Sequence, residues 1–552
     1  MNVTNYIARV KKININKAVV LLSLSFIVAC FSILHVILGY AKTPPGTTYM
    51  WTGHYYLDLF YYVVFIAQGQ HGHWVAFQQF ATDDPSRYYH WFPYILIGQV
   101  FRFFSISPFI VYWIAVFLLS FVVSFLILVV ITKLIEEQAF PFQIAAFLLT
   151  LFATPFFFIS SGEIQYYDYW FSYSSFFRRF EPIPHHLLGI IVILVSLLFL
   201  SRYLKLFKNR SFFNTLKNSF VITGLIVLLL GFYPFQAVVL LGGMALSVTY
   251  YGACFMRRRD WMSVTKLLTF IFIIGAISFS AGLFFKSLYS ETFTAGFKET
   301  ESRFHYLLSL KEIILTTGPL ILLLPLGFFS YSKEMKPIRL VFLAFLLSSY
   351  LLFYSPADAI IGTHNRRFIS PLQYVLVGAI GLLGIVYLAK RFSLSAKKTV
   401  LIITVGFILY FIPVNYQAFR VLLTDKNLNS PITYLPSGII DAMKFVRSRQ
   451  DSGNVLMTPS QFLGTIIPVY TDRKTYVARH IATPNYLEKN IKASNFYLGA
   501  MSKNEAKSFL TENNIRFVIL TTIEGYDVHV LFTYPFLERV YKNNDAVVFE
   551  VR

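Results

Sequence analysis

Residues 108–132 read PFIVYWIAVFLLSFVVSFLILVVIT and contain no charged side chain. A helix needs about 20 mostly apolar residues to cross the hydrocarbon core of a bilayer, so this run predicts a transmembrane helix. The whole chain of 552 residues has 56% hydrophobic and only 14% charged residues. Soluble domains carry about 25% charged residues. The composition therefore excludes a soluble globular protein and indicates a chain embedded in a lipid bilayer.

Further apolar runs lie on both sides of this one and predict a polytopic α-helical membrane protein with about eleven transmembrane helices. One long apolar run is interrupted at residues 231–234, Gly-Phe-Tyr-Pro, which predicts a tight hairpin between two spans. Residues 91–104 are apolar but short and contain Arg102, so we expect a re-entrant or interfacial helix there. The predicted spans are 18–40, 108–132, 139–159, 185–204, 217–233, 235–255, 265–286, 313–331, 338–354, 368–389 and 399–420.

The formal net charge of +21 comes from 48 Lys and Arg against 27 Asp and Glu. The basic residues cluster in alternate short loops, of which Arg257-Arg258-Arg259 is one. Cytoplasmic loops of membrane proteins collect Lys and Arg. The pattern therefore predicts a multi-pass protein with a cytoplasmic N-terminus and an exterior C-terminus, and it explains the charge without a nucleic-acid partner. No eukaryotic retention signal is evident in the sequence, which favours the plasma (inner) membrane of a bacterium.

The chain divides into two predicted parts. Residues 1–425 form a transmembrane module whose long exterior loops are 41–107 and 160–184, and residues 430–552 form a small soluble α/β domain. In this second part, a helix is predicted at 437–449, strands at 454–458, 474–478 and 516–522, a capping box at 502–505 that opens a helix, and a hairpin around 543–545. The domain has no Gly-rich phosphate loop, so nucleotide binding is not predicted.

The first exterior loop brings His54, Asp58 and Tyr61 or Tyr62 to one face of a helix, because their spacing is i, i+4 and i+7 or i+8. A carboxylate among apolar neighbours is costly unless it has a partner or a task. Asp58 is therefore either a functional acid or an interfacial acid that pairs locally. Further along this loop, His71-Gly72-His73 has a spacing that fits either a metal site or a polar turn.

The other exterior loops also carry charged residues that are candidates for a site. Glu163 and Asp168 follow the third predicted span. Arginine presents a planar fork of donors that suits phosphate, and two such pairs occur, one in each of two loops. Each pair has an alternative interpretation: Arg178 and Arg179 would pair with Glu181 at the membrane edge, and Arg366 and Arg367 would anchor lipid headgroups.

This layout resembles the GT-C superfamily of membrane glycosyltransferases. The shared features are an N-terminal helix, a long exterior loop with an early acidic residue, a second acidic position after the third span and a terminal soluble domain. The opening of the tail, Tyr434-Leu435-Pro436, is similar to that of uncharacterised bacterial members. The resemblance implies transfer of a hexosyl or pentosyl group from a polyprenyl-phosphate-linked donor to an acceptor at the exterior face.

The resemblance also assigns roles by position. Asp58 matches the first-loop acid and is the implied catalytic base, although it stands alone in Tyr-Leu-Asp-Leu where family members often have paired acids. Glu163 and Asp168 match the second-loop acids, which in metal-dependent members hold a divalent cation, Mg²⁺ or Mn²⁺. The remaining candidates would bind the substrate and its phosphate: His54, Tyr62, Arg178, Arg179, Arg366 and Arg367.

Three other functions fit a polytopic membrane protein. A lipid-linked sugar flippase or transporter would place ionisable residues near the bilayer midplane, whereas the predicted spans are nearly free of charge. A polysaccharide polymerase or ligase would share the lipid-linked donor but would rest on one large exterior loop with little tail. A non-catalytic scaffold would use the tail to bind partners.

Overall fold

The computed structural model describes residues 15–53, 55–83, 87–168, 173–180, 182–207, 211–289, 304–333, 335–424 and 430–552. Two of the residues discussed above, His54 and Glu181, lie outside these ranges. The described residues form two compact units. Within those ranges, the first unit contains residues 15–33, 116–284 and 304–420, and the second contains residues 34–115, 285–289 and 421–552.

Within the described ranges, eight helices are long and apolar enough to cross a membrane. They overlap eight of the predicted spans, and the break at Tyr233 separates two helices where the sequence predicted a hairpin. Multiple apolar helices of this length make the chain a multi-pass membrane protein. The eight helices are Asn16–Ala41, Pro108–Leu134, Pro184–Leu206, Phe212–Phe232, Pro234–Arg257, Trp261–Leu288, Gln373–Arg391 and Ala396–Leu423.

The other three predicted spans are shorter or broken, so the described helices do not reach the predicted count of eleven. The helix at the third predicted span, Phe140–Phe152, ends just before Pro155, which has no amide hydrogen to donate. Leu310–Thr317 and Pro319–Lys333 meet at a bend of 105°. The bend lies at Gly318, whose φ is 84° and where a Cβ would clash with the Thr154 carbonyl, so the sharp turn requires glycine. Pro337–Phe353 has only 17 residues.

Helices of the first unit approach closely at glycines. Pro234–Arg257 packs against Pro337–Phe353 where Gly242 and Gly243 face Ser348 and Phe345. The connections of this unit carry the remaining candidate residues. They are an antiparallel hairpin (Phe157–Ser160 with Glu163–Tyr166), the short helices Phe176–Arg179 and Ala357–Ile361, and the 3₁₀ helix Asn365–Phe368.

The second unit contains a four-stranded sheet with the strand order Asn454–Met457, Ile515–Thr521, Ala546–Val551 and Leu537–Lys542. The first two strands are parallel and the others antiparallel. The predicted strand at 474–478 contributes only isolated bridges, from Thr475 to Val455 and from Val477 to Ala81. The helices of this unit are Tyr56–Gln70, Phe92–Val100, Ser437–Ser448, Thr465–Thr471, Tyr486–Tyr497, Lys503–Glu512 and Val528–Phe532.

Residues of the first long loop are part of this second unit and pack with C-terminal residues. The strand Thr47–Tyr49 pairs with Tyr434–Pro436, and Ala81 forms a bridge with Val477. Aromatic side chains of the loop are buried against C-terminal residues as well. Phe60, for example, stacks on Phe462 with ring centroids 5.7 Å apart. The loop that the sequence assigned to the transmembrane module is therefore folded together with residues of the C-terminal region.

Candidate functional site

Asp58 lies in the first turn of the helix Tyr56–Gln70, where the partial positive charge of a helix N-terminus favours a carboxylate. Its Oδ1 accepts a hydrogen bond from Nη2 of Arg479, with which it forms an ion pair. The Asp58 side chain is 27% exposed, whereas that of Arg479 is only 8% exposed. The carboxylate is thus held by a buried cation and is itself still accessible to solvent.

The guanidinium of Arg479 is held by three neighbouring groups. Besides the Asp58 carboxylate, Nη1 donates to the carbonyl oxygen of Leu57 at 3.3 Å, and the guanidinium carbon lies 5.3 Å from the ring centroid of Tyr61. Tyr61 is in turn fixed because its hydroxyl accepts a hydrogen bond from Nε1 of Trp91 at 3.1 Å. Asp58 and Tyr61, which were predicted to share one helical face, therefore both contact Arg479.

Tyr62, a predicted substrate-binding residue, is buried in an aromatic stack. Its ring lies 4.8 Å from that of Tyr94 with the two planes within 5° of parallel, and it also contacts Trp91 at 5.2 Å. Offset stacking of this kind is a packing interaction. His54, the other substrate-binding candidate of this loop, lies outside the described residues.

The two histidines of the predicted metal or turn motif both face Asp472. His71 Nδ1 lies 3.1 Å and His73 Nε2 3.8 Å from its carboxylate oxygens, and Gln79 Nε2 donates to Oδ1 at 3.2 Å. Burial raises the pKa of Asp472, but the hydrogen bonds from His71 and Gln79 and the charges of both histidines outweigh it and leave the pKa lowered. Across the described ranges, no three His, Cys, Asp or Glu side chains are arranged to hold a metal ion.

A third charged contact joins the same two stretches of the second unit. Lys489, which is buried, forms an ion pair with Asp83. Asp472, Arg479 and Lys489 thus all lie in one stretch, residues 472–489, which we call the fastening segment. Each contacts a different part of the loop between Asp58 and Asp83.

In the first unit, the second-loop acids have different surroundings. Asp168 is half-buried and forms an ion pair with Arg178, in which Oδ2 lies 2.6 Å from Nη1. Glu163 begins the second strand of the hairpin and is exposed. The side chain of Arg178 is 47% exposed, so this guanidinium can still be reached from solvent.

Arg179 differs from its neighbour because it is buried and caps a helix. Nη1 donates to the carbonyl oxygens of Thr150 at 3.0 Å and Leu151 at 2.6 Å, and Nη2 donates to that of Ala153. These carbonyls belong to the end of the helix Phe140–Phe152, where the last turn has no intrahelical donors. The guanidinium also lies 3.6 Å from the ring centroid of Tyr374. Both terminal nitrogens of Arg179 therefore bond to backbone carbonyls, and this geometry does not favour the predicted phosphate-binding role.

Arg366 and Arg367 lie on the 3₁₀ helix Asn365–Phe368 and both stack on aromatic rings. The guanidinium carbon of Arg366 lies 3.2 Å from the ring centroid of Tyr306, and that of Arg367 lies 5.4 Å from the ring centroid of Phe235. Both side chains are half-buried. Stacking on an aromatic ring orients each guanidinium.

Sequence reasoning identified Asp58 but missed Arg479, Asp472 and Lys489. Arg479 is 421 positions away from Asp58 in the chain. Charged residues in a polar region are usually solvated, so nothing local marks these three as partners of the first loop. The one available signal, that the lone carboxylate of Asp58 needs a partner, does not say where the partner lies.

The sequence matches no protein-family model and no curated protein. Among solved structures, the chain is similar to the apo form of an oligosaccharyltransferase from Archaeoglobus fulgidus, with a TM-score of 0.47 and 13% identity over 91% of this chain and 69% of that chain. The same values of TM-score and identity hold for the archaeal enzyme AglB with an inhibitory peptide and a dolichol-phosphate, over 92% and 70%. The complex with Zn and sulfate has a TM-score of 0.44 and 12% identity over 90% and 68%.

Proposed function

We propose that this protein is a GT-C-type glycosyltransferase of the plasma (inner) membrane, which moves a sugar from a polyprenyl-phosphate-linked donor to an acceptor at the exterior face. The observation that carries the proposal is the state of Asp58, a partly exposed carboxylate held by the buried Arg479. The sequence resemblance, in which Asp58 occupies the place of the first-loop acid, supports the same assignment.

Asp58 acts as the general base in this proposal. Sugar transfer needs a group that accepts the proton of the attacking acceptor hydroxyl. The exposed part of the Asp58 side chain is open to an entering hydroxyl. The acceptor oxygen forms a bond to the anomeric carbon, the bond from that carbon to the phosphate oxygen breaks, and the polyprenyl phosphate leaves with the bonding electrons.

The leaving phosphate needs positive charge beside it. Arg178, Arg366 and Arg367 are the candidates, because each has a guanidinium that is oriented by a partner and not fully buried. Arg179 is left out because its N–H groups cap a helix. In this proposal the polyprenyl tail of the donor stays in the bilayer.

A divalent cation, Mg²⁺ or Mn²⁺, is implied only by the family resemblance. Its candidate ligands are Glu163, which is exposed, and Asp168, whose carboxylate is engaged by Arg178. Two carboxylates in such different surroundings do not make a metal centre, since Mg²⁺ sites need near-octahedral coordination.

The test compares two carboxylates of the same loop. Membranes that contain the wild type, Asp58→Asn or Asp83→Asn are supplied with a labelled polyprenyl-phosphate hexose or pentose, and label is measured in the acceptor fraction. Asp83 is the matched control because it too pairs with a buried cation. We expect Asp58→Asn to reduce transfer by about 100-fold or more, and Asp83→Asn to keep it.

Two outcomes would overturn the proposal. Equal transfer by the wild type and Asp58→Asn would remove Asp58 from the mechanism. Movement of the intact labelled donor across the bilayer, without label in any acceptor, would instead identify a flippase.

A further inference from the structure

The fastening segment contacts the first loop through three charged side chains, but only one of them reaches the proposed catalytic acid. Arg479 bonds to the Asp58 carboxylate, whereas Lys489 bonds to Asp83, and Asp472 faces the two histidines. Arg479 and Lys489 are equally buried, at 8% side-chain exposure each. The fastening segment therefore presents two similarly buried cations, which hold different acids of the loop.

We propose that Arg479 is a positioning residue that sets the orientation of the Asp58 carboxylate for proton transfer. This inference rests on the proposed function, in which Asp58 is the base. The arginine acts through Asp58 and has no assigned contact with the sugar or the acceptor. Arg479 would thus orient a catalytic acid, Asp58, that lies 421 positions earlier in the chain.

The contacts of Arg479 depend on the shape of the guanidinium and not only on its positive charge. The planar guanidinium donates from Nη1 to the Leu57 carbonyl and from Nη2 to the Asp58 carboxylate. One rigid guanidinium thus connects the Asp58 carboxylate to a backbone carbonyl of the helix that carries Asp58. This connection fixes the direction of the carboxylate relative to the helix axis. Lysine is a point charge on a flexible stem and cannot keep both angles.

Tyr61 keeps this fork in place. The guanidinium carbon lies 5.3 Å from its ring centroid, and the ring is anchored by the hydrogen bond that its hydroxyl accepts from Trp91. A cation over an aromatic ring gains additional attraction when it is removed from water. Arg479 is thus a preorganised support, and small displacements of a catalytic group are known to cost large factors in rate.

A purely structural role is the alternative, because Arg479 also fastens two stretches of the second unit. Lys489 fastens the same two stretches without touching Asp58, so Lys489→Met is the matched control. If fastening is the only role, the two substitutions will change thermal stability and transfer in parallel. If Arg479 positions Asp58, transfer by folded protein will fall only when Arg479 is changed.

The experiment measures kcat and donor KM for full-length wild type, Arg479→Gln, Arg479→Lys, Lys489→Met and Asp58→Asn, each reconstituted in liposomes with a labelled polyprenyl-phosphate sugar. We expect Arg479→Gln to lower kcat by about 100-fold with donor KM unchanged, and Arg479→Lys to recover only part of it. The double variant Asp58→Asn/Arg479→Gln should be no slower than Asp58→Asn alone, because residues that act as a unit are not additive.

The controls separate this inference from the proposed function. If Asp58→Asn has wild-type activity, the function itself is overturned. If Asp58→Asn is inactive but Arg479→Gln keeps the wild-type kcat, only the positioning role is wrong. Equal losses of kcat in Arg479→Gln and Lys489→Met, or a further loss in the double variant, would likewise contradict it.

Discussion

The adjacent arginines Arg178 and Arg179 provide a sharp test, because the structure gives them opposite roles. Replacing Arg179 by Met removes three hydrogen bonds to carbonyls at the end of the helix Phe140–Phe152. Burial lowers the pKa of Arg179 to about 10, which is still far above neutral pH, so the charged form makes these bonds.

The expected cost follows from the acceptors left behind. Each buried carbonyl without a donor costs about 1–3 kcal/mol. The sum is offset in part because the buried charge itself no longer has to be desolvated. We therefore expect Arg179→Met to destabilise the protein by about 3–5 kcal/mol, which at about 2 °C per kcal/mol for a large domain lowers Tm by about 6–10 °C.

Arg178→Met is the matched control. Its ion pair with Asp168 is partly exposed, and such pairs contribute about 0–1 kcal/mol, so Tm should fall by about 2 °C or less. Transfer activity should show the reverse order: Arg178→Met should lose activity because it removes a proposed phosphate ligand, whereas folded Arg179→Met should keep it. Thermal melts in detergent and the transfer assay on the same preparations measure both quantities.

Two results would refute this assignment. An unchanged Tm in Arg179→Met would show that the carbonyls do not depend on the guanidinium. A larger loss of stability in Arg178→Met than in Arg179→Met would show that the roles of the two arginines are reversed.

Three further predictions concern stability. Gly69→Ala should destabilise by about 1–3 kcal/mol, because its Cβ would clash with a carbonyl of the helix Phe92–Val100, whereas Gly224→Ala, with no atom within 4 Å of its Cβ, should stabilise slightly in thermal melts. Since the folded pKa of Asp472 is lowered, its contribution should be present above the ordinary Asp pKa of about 3.9 and lost as pH falls below it. Melts of Asp472→Asn should lack this acid dependence; an unchanged pH profile would contradict it. Ser502→Ala, which removes a capping box, should cost about 1 kcal/mol and speed amide exchange in Lys503–Glu512; unchanged exchange would argue against the cap.

Much of the fold was predictable because its determinants are local. Apolar runs of sufficient length predicted eight spans that coincide with long helices. The capping box at Ser502 and the hairpin around residue 544 depend on neighbouring residues, and both are present. The predicted span at 313–331 consists of two helices bent by 105°, a feature that hydropathy does not reveal because it does not register the turn at Gly318. The predicted strand at 474–478 is not continuous, since Thr475 and Val477 form only isolated bridges.

The sequence by itself determined that the chain lies in a membrane, roughly where eight of its apolar helices lie, and that Asp58 is a carboxylate that needs a partner or a task. Only the tertiary structure decided what that partner is. Arg479 and Asp58 are 421 positions apart, and the energy of an ion pair depends on distance in space and on burial, which no local pattern encodes. The same holds for Arg178 and Arg179, identical in sequence terms, of which one is exposed beside a carboxylate and the other is buried as a helix cap.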